Sequence, residues 1–315
     1  MIYNSIQYLR GISAIAVVFF HLFHTTGQQG VAIFFVISGF IMIDIMNKKH
    51  RDAKEFFKAR FIRVAPIYYM LTLLTLGLGI AYDPTWLRII QSFTFTALGS
   101  LLPVGWTLTF EFIFYTVVTL SIAFINNYRL RIFMIVFFLV VGDTALNYLL
   151  SIKNYEYGNY FWFFIAGILV YEIYQKQKKI FEVLTQKYLL YILLIFSFVY
   201  LFCGVFFIPH YDISVNNYIV NNLVPSFFIV LSVLLIESKY HTLNNTFMIL
   251  LGNASYSIYL THFIVIHSFE KYISLEISPW ILFVLSILIG CCFYKLIEKP
   301  FLEYLKSLGK VRCVG

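Results

Sequence analysis

Arg10 and His21 stand eleven residues apart in the first apolar segment of this chain, residues 6–24. On a helix rising about 1.5 Å per residue that is about 16 Å, and three turns bring both side chains onto roughly one face. A guanidinium grips anions, and an imidazole takes and returns a proton near neutral pH. A cation at the bilayer centre costs about 2.5–3.5 kcal/mol on insertion scales. An arginine near one surface with a histidine deep, or toward the other surface, is therefore read as a site for chemistry carried across a bilayer.

Other groups could share that chemistry. Arg60 and Arg63 form an Arg-x-x-Arg pair on one helix face, where two guanidinium forks suit phosphate oxygens. The plainer reading of that pair is lipid-headgroup anchoring. Glu111 lies early in an apolar run, residues 104–115, and a carboxylate there needs a partner. It either orients and charge-balances His21, as a carboxylate does in a catalytic triad, or pairs structurally with an arginine. His21 and His24 are one turn apart, but no third ligand is evident, so no metal site is assigned and His21 is taken as a single catalytic base. His24 reads as a boundary residue. Asp44 and Asp143 are read as structural acids, and the Ser38-Gly39 pair as a helix-packing contact. In residues 252–262, Asn253 and Ser255 suit a helix cap, while Tyr256, Tyr259 and His262 line one face. His262 is expected to face the interior, hydrogen-bonded or as a second catalytic histidine.

The elements that must position these groups are membrane helices. The chain has 315 residues, 61% hydrophobic and 12% charged, with a mean hydropathy of +0.83. Soluble domains average about 25% charged. An all-α polytopic bundle is predicted, with about ten spans: 6–26, 29–47, 64–82, 104–125, 130–150, 158–174, 188–206, 218–236, 247–268 and 278–297. Residues 85–103 read as a re-entrant or surface helix, or as an eleventh span. Residues 54–64 read as an amphipathic interfacial helix ending before Pro66. One membrane domain over 1–300 and a short tail over 301–315 are expected, with an uncleaved first anchor.

Counted from a cytoplasmic N-terminus, eighteen Lys and Arg fall in cytoplasmic segments and three in the opposite loops. That asymmetry predicts both termini in the cytoplasm. The basic residues sit in short loops and not on an aromatic-interleaved face, so the net charge of +8 argues for topology and against nucleic acid. Four cysteines, Cys203, Cys291, Cys292 and Cys313, show no zinc or disulfide framework. No internal repeat is evident, which weakens a transporter reading.

In order along the chain, the motifs IQYLRG (6–11) followed by His21, FFVISGF (34–40), FKARFIR (57–63) with Pro66, GWTLTFE (105–111), SYSIYLTH (255–262) and EKP (298–300) resemble the acyltransferase-3 family of membrane acyltransferases. The first and third blocks look most like its exopolysaccharide-production branch. The resemblance implies a bacterial inner-membrane enzyme that takes an acyl group, most simply acetyl, from cytosolic acyl-CoA. The acceptor would be a hydroxyl of an envelope glycan or its lipid-linked precursor. Acyl-CoA would be a co-substrate and not a resident cofactor, and glycan-assembly enzymes are possible partners. Carried over by position, His21 is the catalytic histidine, Arg10, Arg60 and Arg63 support donor binding, and Trp106 and Glu111 belong to the site. Ser38, Tyr256 and His262 join them as candidate substrate-binding residues. Many members have serine where this chain has Thr107, which keeps the hydroxyl. Some carry a C-terminal esterase-like domain, and here none is expected. The rival readings are a flippase for a lipid-linked glycan, which does not explain a basic clamp beside an intramembrane histidine, and a structural scaffold, which does not explain the cost of burying Arg10, His21 and Glu111.

Overall fold

A computed structural model describes residues 3–48, 52–96, 100–151, 159–176, 187–207, 215–240, 244–273 and 277–309. Among the described residues the chain is all-helical. The helices are α1 (Asn4–Phe23), α2 (Gly30–Lys48), α3 (Ala53–Gly77), α4 (Trp86–Phe93), α5 (Trp106–Phe124), α6 (Tyr128–Ser151), α7 (Phe161–Lys176), α8 (Lys187–Phe207), α9 (Val215–Tyr240), α10 (Thr246–Tyr272), α11 (Pro279–Phe293) and α12 (Lys299–Gly309). Among the described residues eight helices are long and apolar enough to cross a membrane, and two shorter apolar stretches, Phe161–Gln175 and Tyr188–Cys203, fall on the remaining predicted spans. A polytopic helical bundle is thus what the hydropathy pattern builds. Helices α6 and α8 present Phe133, Phe137, Ile192 and Phe196 outward, as lipid-facing helices do.

Within residues 85–103 the only α-helix described is α4, eight residues long, or about 12 Å at 1.5 Å per residue. That is too short to span about 30 Å of hydrocarbon. Trp86, Leu87 and Ile90 are exposed along it, so α4 is a surface helix and the eleventh-span alternative falls away.

Two expectations need correction. Residues 54–64 are not a separate interfacial helix: α3 runs unbroken through Pro66. Along this stretch Phe56, Ala59, Arg60 and Val64 are buried, while Lys54, Glu55, Lys58 and Phe61 are exposed. Arg60 thus turns into the bundle, where an intramembrane cation finds polar partners. The second correction concerns α10. Its N-cap is Asn245, whose side chain accepts from the amides of Phe247 and Met248 at 3.0 and 3.1 Å. Asn253 and Ser255 lie mid-helix.

Two glycine crossings draw the core together. A Cβ at Gly252 of α10 would run into the backbone of Gln7 on α1. On α2 and α7, Gly39 and Gly167 meet backbone to backbone. Small residues permit such approach, and dispersion contacts rather than hydrophobicity hold helices together in lipid. Gly39 is thus the packing residue the sequence suggested, while Ser38 turns elsewhere. Asp44 pairs with Lys48 at 2.7 Å, and Asp143 accepts from Asn147 at 3.3 Å, both structural as expected. Beyond α11 the helix continues through a π turn (Tyr294–Glu298) into α12, so the described part of the tail is helical.

Glu237 of α9 caps α1. It accepts from the Asn4 amide at 2.8 Å, the Ser5 amide at 3.2 Å and the Ser5 hydroxyl at 2.6 Å. A carboxylate there meets the positive end of the helix dipole and its unpaired amides. Glu237→Ala is expected to cost about 1–2 kcal/mol, the range for losing a helix cap. It should lower the melting temperature in detergent, and Glu237→Gln should lower it less.

Candidate functional site

Five helices, with Tyr294 of the π turn and Leu302 of α12, enclose a cavity of about 300 Å³. Each contributes residues at helical spacing, which puts them on one inward face. Arg10 comes from α1, Ser38 from α2, Arg60 and Arg63 from α3, Glu111 and Tyr115 from α5, and Asn253 and Tyr256 from α10. Six of the nine residues singled out from the sequence therefore meet in one space: Arg10, Ser38, Arg60, Arg63, Glu111 and Tyr256.

The Ser38 hydroxyl donates to Glu111 Oε1 at 2.6 Å. The Tyr115 hydroxyl also reaches the Glu111 carboxylate, and Arg10 and Arg60 are close enough to act on it electrostatically. The direct hydrogen bonds of Glu111 come from Ser38 and Tyr115, with the two arginines acting on it through their charge. Among the described residues three arginines and one carboxylate, Glu111, line the cavity, so an anionic ligand suits it.

Arg63 is held from outside the cavity. Its Nη1 lies 2.7 Å from Glu298 Oε1, and the Glu298 side chain is 0% exposed. The Ser257 hydroxyl donates to the other oxygen of Glu298 at 2.5 Å. Glu298 ends the π turn; an added residue in a helical turn rotates the positions after it. Here the turn directs Glu298 inward while Leu296 and Ile297 face out. Tyr256 donates to the Val64 carbonyl at 2.9 Å, just before Pro66. Sequence reading quoted Glu298 as part of a motif but gave it no role. The only signal was an acid at the end of an apolar segment, and its partner lies 235 residues away.

His21 and His262 do not line the cavity. They meet beyond it, toward the C-terminal ends of α1 and α10, with ring centroids 5.0 Å apart. His262 is fully buried. Tyr259 stands between cavity and histidines, its ring 6.0 Å from Phe34 on one side and 6.0 Å from His262 on the other. Its hydroxyl donates to the Val104 carbonyl at 2.8 Å and lies 3.2 Å from Thr107 Oγ1. Glu111 sits one turn along α5 from Thr107, about 6 Å. The partners the structure gives Glu111 are Ser38, Tyr115, Arg10 and Arg60, and the ring beside His21 is His262. Trp106 packs into an aromatic cluster with Tyr160 (4.8 Å) and Phe110 (5.8 Å), supporting the wall and not lining the cavity. His24 is exposed and ends α1 in a left-handed conformation, φ 52°.

The chain is 30% identical over 299 residues to the exopolysaccharide production protein ExoZ of Rhizobium meliloti (strain 1021), across 89% of this chain and 90% of that one. No solved structure matches. The acyltransferase-domain family profile matches residues 3–295, a range that contains the cavity residues from Gln7 to Tyr294. The chain belongs to the acyltransferase-3 family and is a multi-pass membrane acyltransferase.

Proposed function

We propose that this enzyme transfers an acyl group, acetyl in the simplest case, from acyl-CoA to a hydroxyl of an exopolysaccharide or its lipid-linked precursor. The observation that carries this reading is the arginine-lined cavity that stops one aromatic layer short of His21 and His262. Coenzyme A is anionic at one end and carries its thioester at the other. Guanidinium forks match its phosphates, and the thioester end extends past Phe34 and Tyr259 toward His21. Positive-inside charge supports a cytoplasmic mouth on the arginine side, and the bacterial relative supports an inner membrane as its place. The glycan acceptor follows from the name of the relative, ExoZ.

His21 takes the proton of the acceptor hydroxyl as its oxygen attacks the thioester carbonyl. The tetrahedral intermediate then expels the CoA sulfur, and the imidazolium returns the proton to it. Packed aromatic walls keep water from competing as the acceptor.

The test is release of free CoA by purified protein in liposomes given acetyl-CoA, with and without envelope glycan. Glycan-dependent release supports the reading. Release only with succinyl-CoA or a longer donor would change the acyl group and keep the reaction. Glycan movement across the bilayer without donor and with no CoA release would overturn it in favour of transport.

In the same assay Glu298→Gln is expected to raise the donor KM about ten-fold with kcat within two-fold. The charge-assisted bond that aims Arg63 is lost, an effect of about 1.5–3 kcal/mol of which part is recovered by the amide. A fall in kcat at unchanged KM would argue against donor binding by Arg63.

A further inference from the structure

His262 has one ring nitrogen engaged and one left over. Nδ1 lies 3.2 Å from the carbonyl oxygen of Ile258, one turn back on α10. A carbonyl only accepts, so Nδ1 carries the proton and a neutral ring presents a lone pair at Nε2. Nε2 is buried and makes no hydrogen bond among the described residues. Its surroundings narrow the donors. The Tyr259 hydroxyl is turned away to the Val104 carbonyl. His267 is stacked on Phe263, its Nδ1 on the Phe263 carbonyl. Among the described residues no carboxylate hydrogen-bonds the ring. Among the described residues, the neighbouring group shown with an N–H to give is the imidazole of His21, its ring centroid 5.0 Å away. At that separation, ring nitrogens turned toward each other meet at hydrogen-bond distance.

We propose that His262 is the positioning residue of His21. Its Nε2 accepts a hydrogen bond from one ring N–H of His21, which selects the tautomer whose other nitrogen bears the lone pair for the acceptor hydroxyl. When that nitrogen takes the proton, the N–H already bonded to His262 stays bonded, and the imidazolium shares its charge with a neutral acceptor. A triad places a carboxylate here. A neutral ring serves the same orientation without burying an anion among apolar helices. This inference rests on the reading of His21 as the base.

The test compares His21→Ala, His262→Leu, His262→Gln and the His21→Ala/His262→Leu double variant for CoA release in liposomes. Leucine fills the space without a lone pair, and the glutamine carbonyl can stand near the place of Nε2. His262→Leu should lower kcat about 10²-fold with donor KM within two-fold, and His262→Gln should recover to within ten-fold of wild type. The double variant should fall no lower than His21→Ala alone, because both act on one step. Wild-type kcat in His262→Leu beside an inactive His21→Ala would sink this inference alone. Equal loss in the leucine and glutamine variants, or a loss confined to KM, would do the same. Wild-type activity in His21→Ala would instead remove the base reading beneath it. Should the leucine variant fail to assemble, His262→Phe takes its place in the same comparison, keeping a flat ring without the acceptor.

Discussion

His21→Ala is expected to lower acyl transfer by about 10²–10⁴-fold, the usual worth of a positioned general acid–base. The loss should fall on kcat, with donor KM close to wild type, because the arginines that line the cavity lie away from His21. Loss of kcat and kcat/KM together is the mark of an interaction made only in the transition state. A covalent acyl-histidine would give the same loss, and trapping labelled acyl-protein with acyl-CoA in the absence of glycan separates the two routes. Retention of near wild-type turnover would exclude both. His24→Ala is the control, since His24 is exposed beyond the end of α1, and it should leave kcat within two-fold.

Gly252→Ala is expected to lower activity about 10²-fold and the melting temperature with it. The added Cβ would strike the Gln7 backbone, which has no flexible end to swing aside. Overpacking of this kind costs about 1–3 kcal/mol. The functional cost is larger than the structural one because of what the two helices carry. Arg10 and His21 ride on α1, and Tyr256 and His262 ride on α10. Pushing α1 from α10 shifts the cavity wall and the histidine pair at once, and a 1 Å misplacement can cost about 10²-fold. Gly77→Ala is the matched control. A Cβ there meets nothing within 4 Å, so stability and turnover should stay near wild type. A Gly252→Ala protein with wild-type melting and turnover would show that the α1–α10 crossing tolerates more than this geometry allows.

The sequence by itself determined the material and the main cast. Length and apolarity of the segments set a helical membrane bundle, because hydropathy is summed over a local window and needs no partner. The same local logic brought out Arg10, His21, Arg60, Arg63, Glu111 and His262, since a polar group inside an apolar helix stands out one residue at a time. The inward turn of Arg60 on α3 was not legible, because amphipathicity tells which residues share a face and not what that face meets. Its arginines face the cavity and Phe61 faces out.

Only the tertiary structure decided who meets whom. Glu111 takes Ser38 from α2, Arg63 takes Glu298 from the π turn, and His21 takes His262 from α10 as neighbour. Those pairings depend on the rotation and axial register of helices distant in sequence. Both are set where backbones touch, at Gly252 against Gln7 and at Gly39 against Gly167. A glycine in the sequence marks that a close approach is permitted, and only the folded chain says which helix makes it.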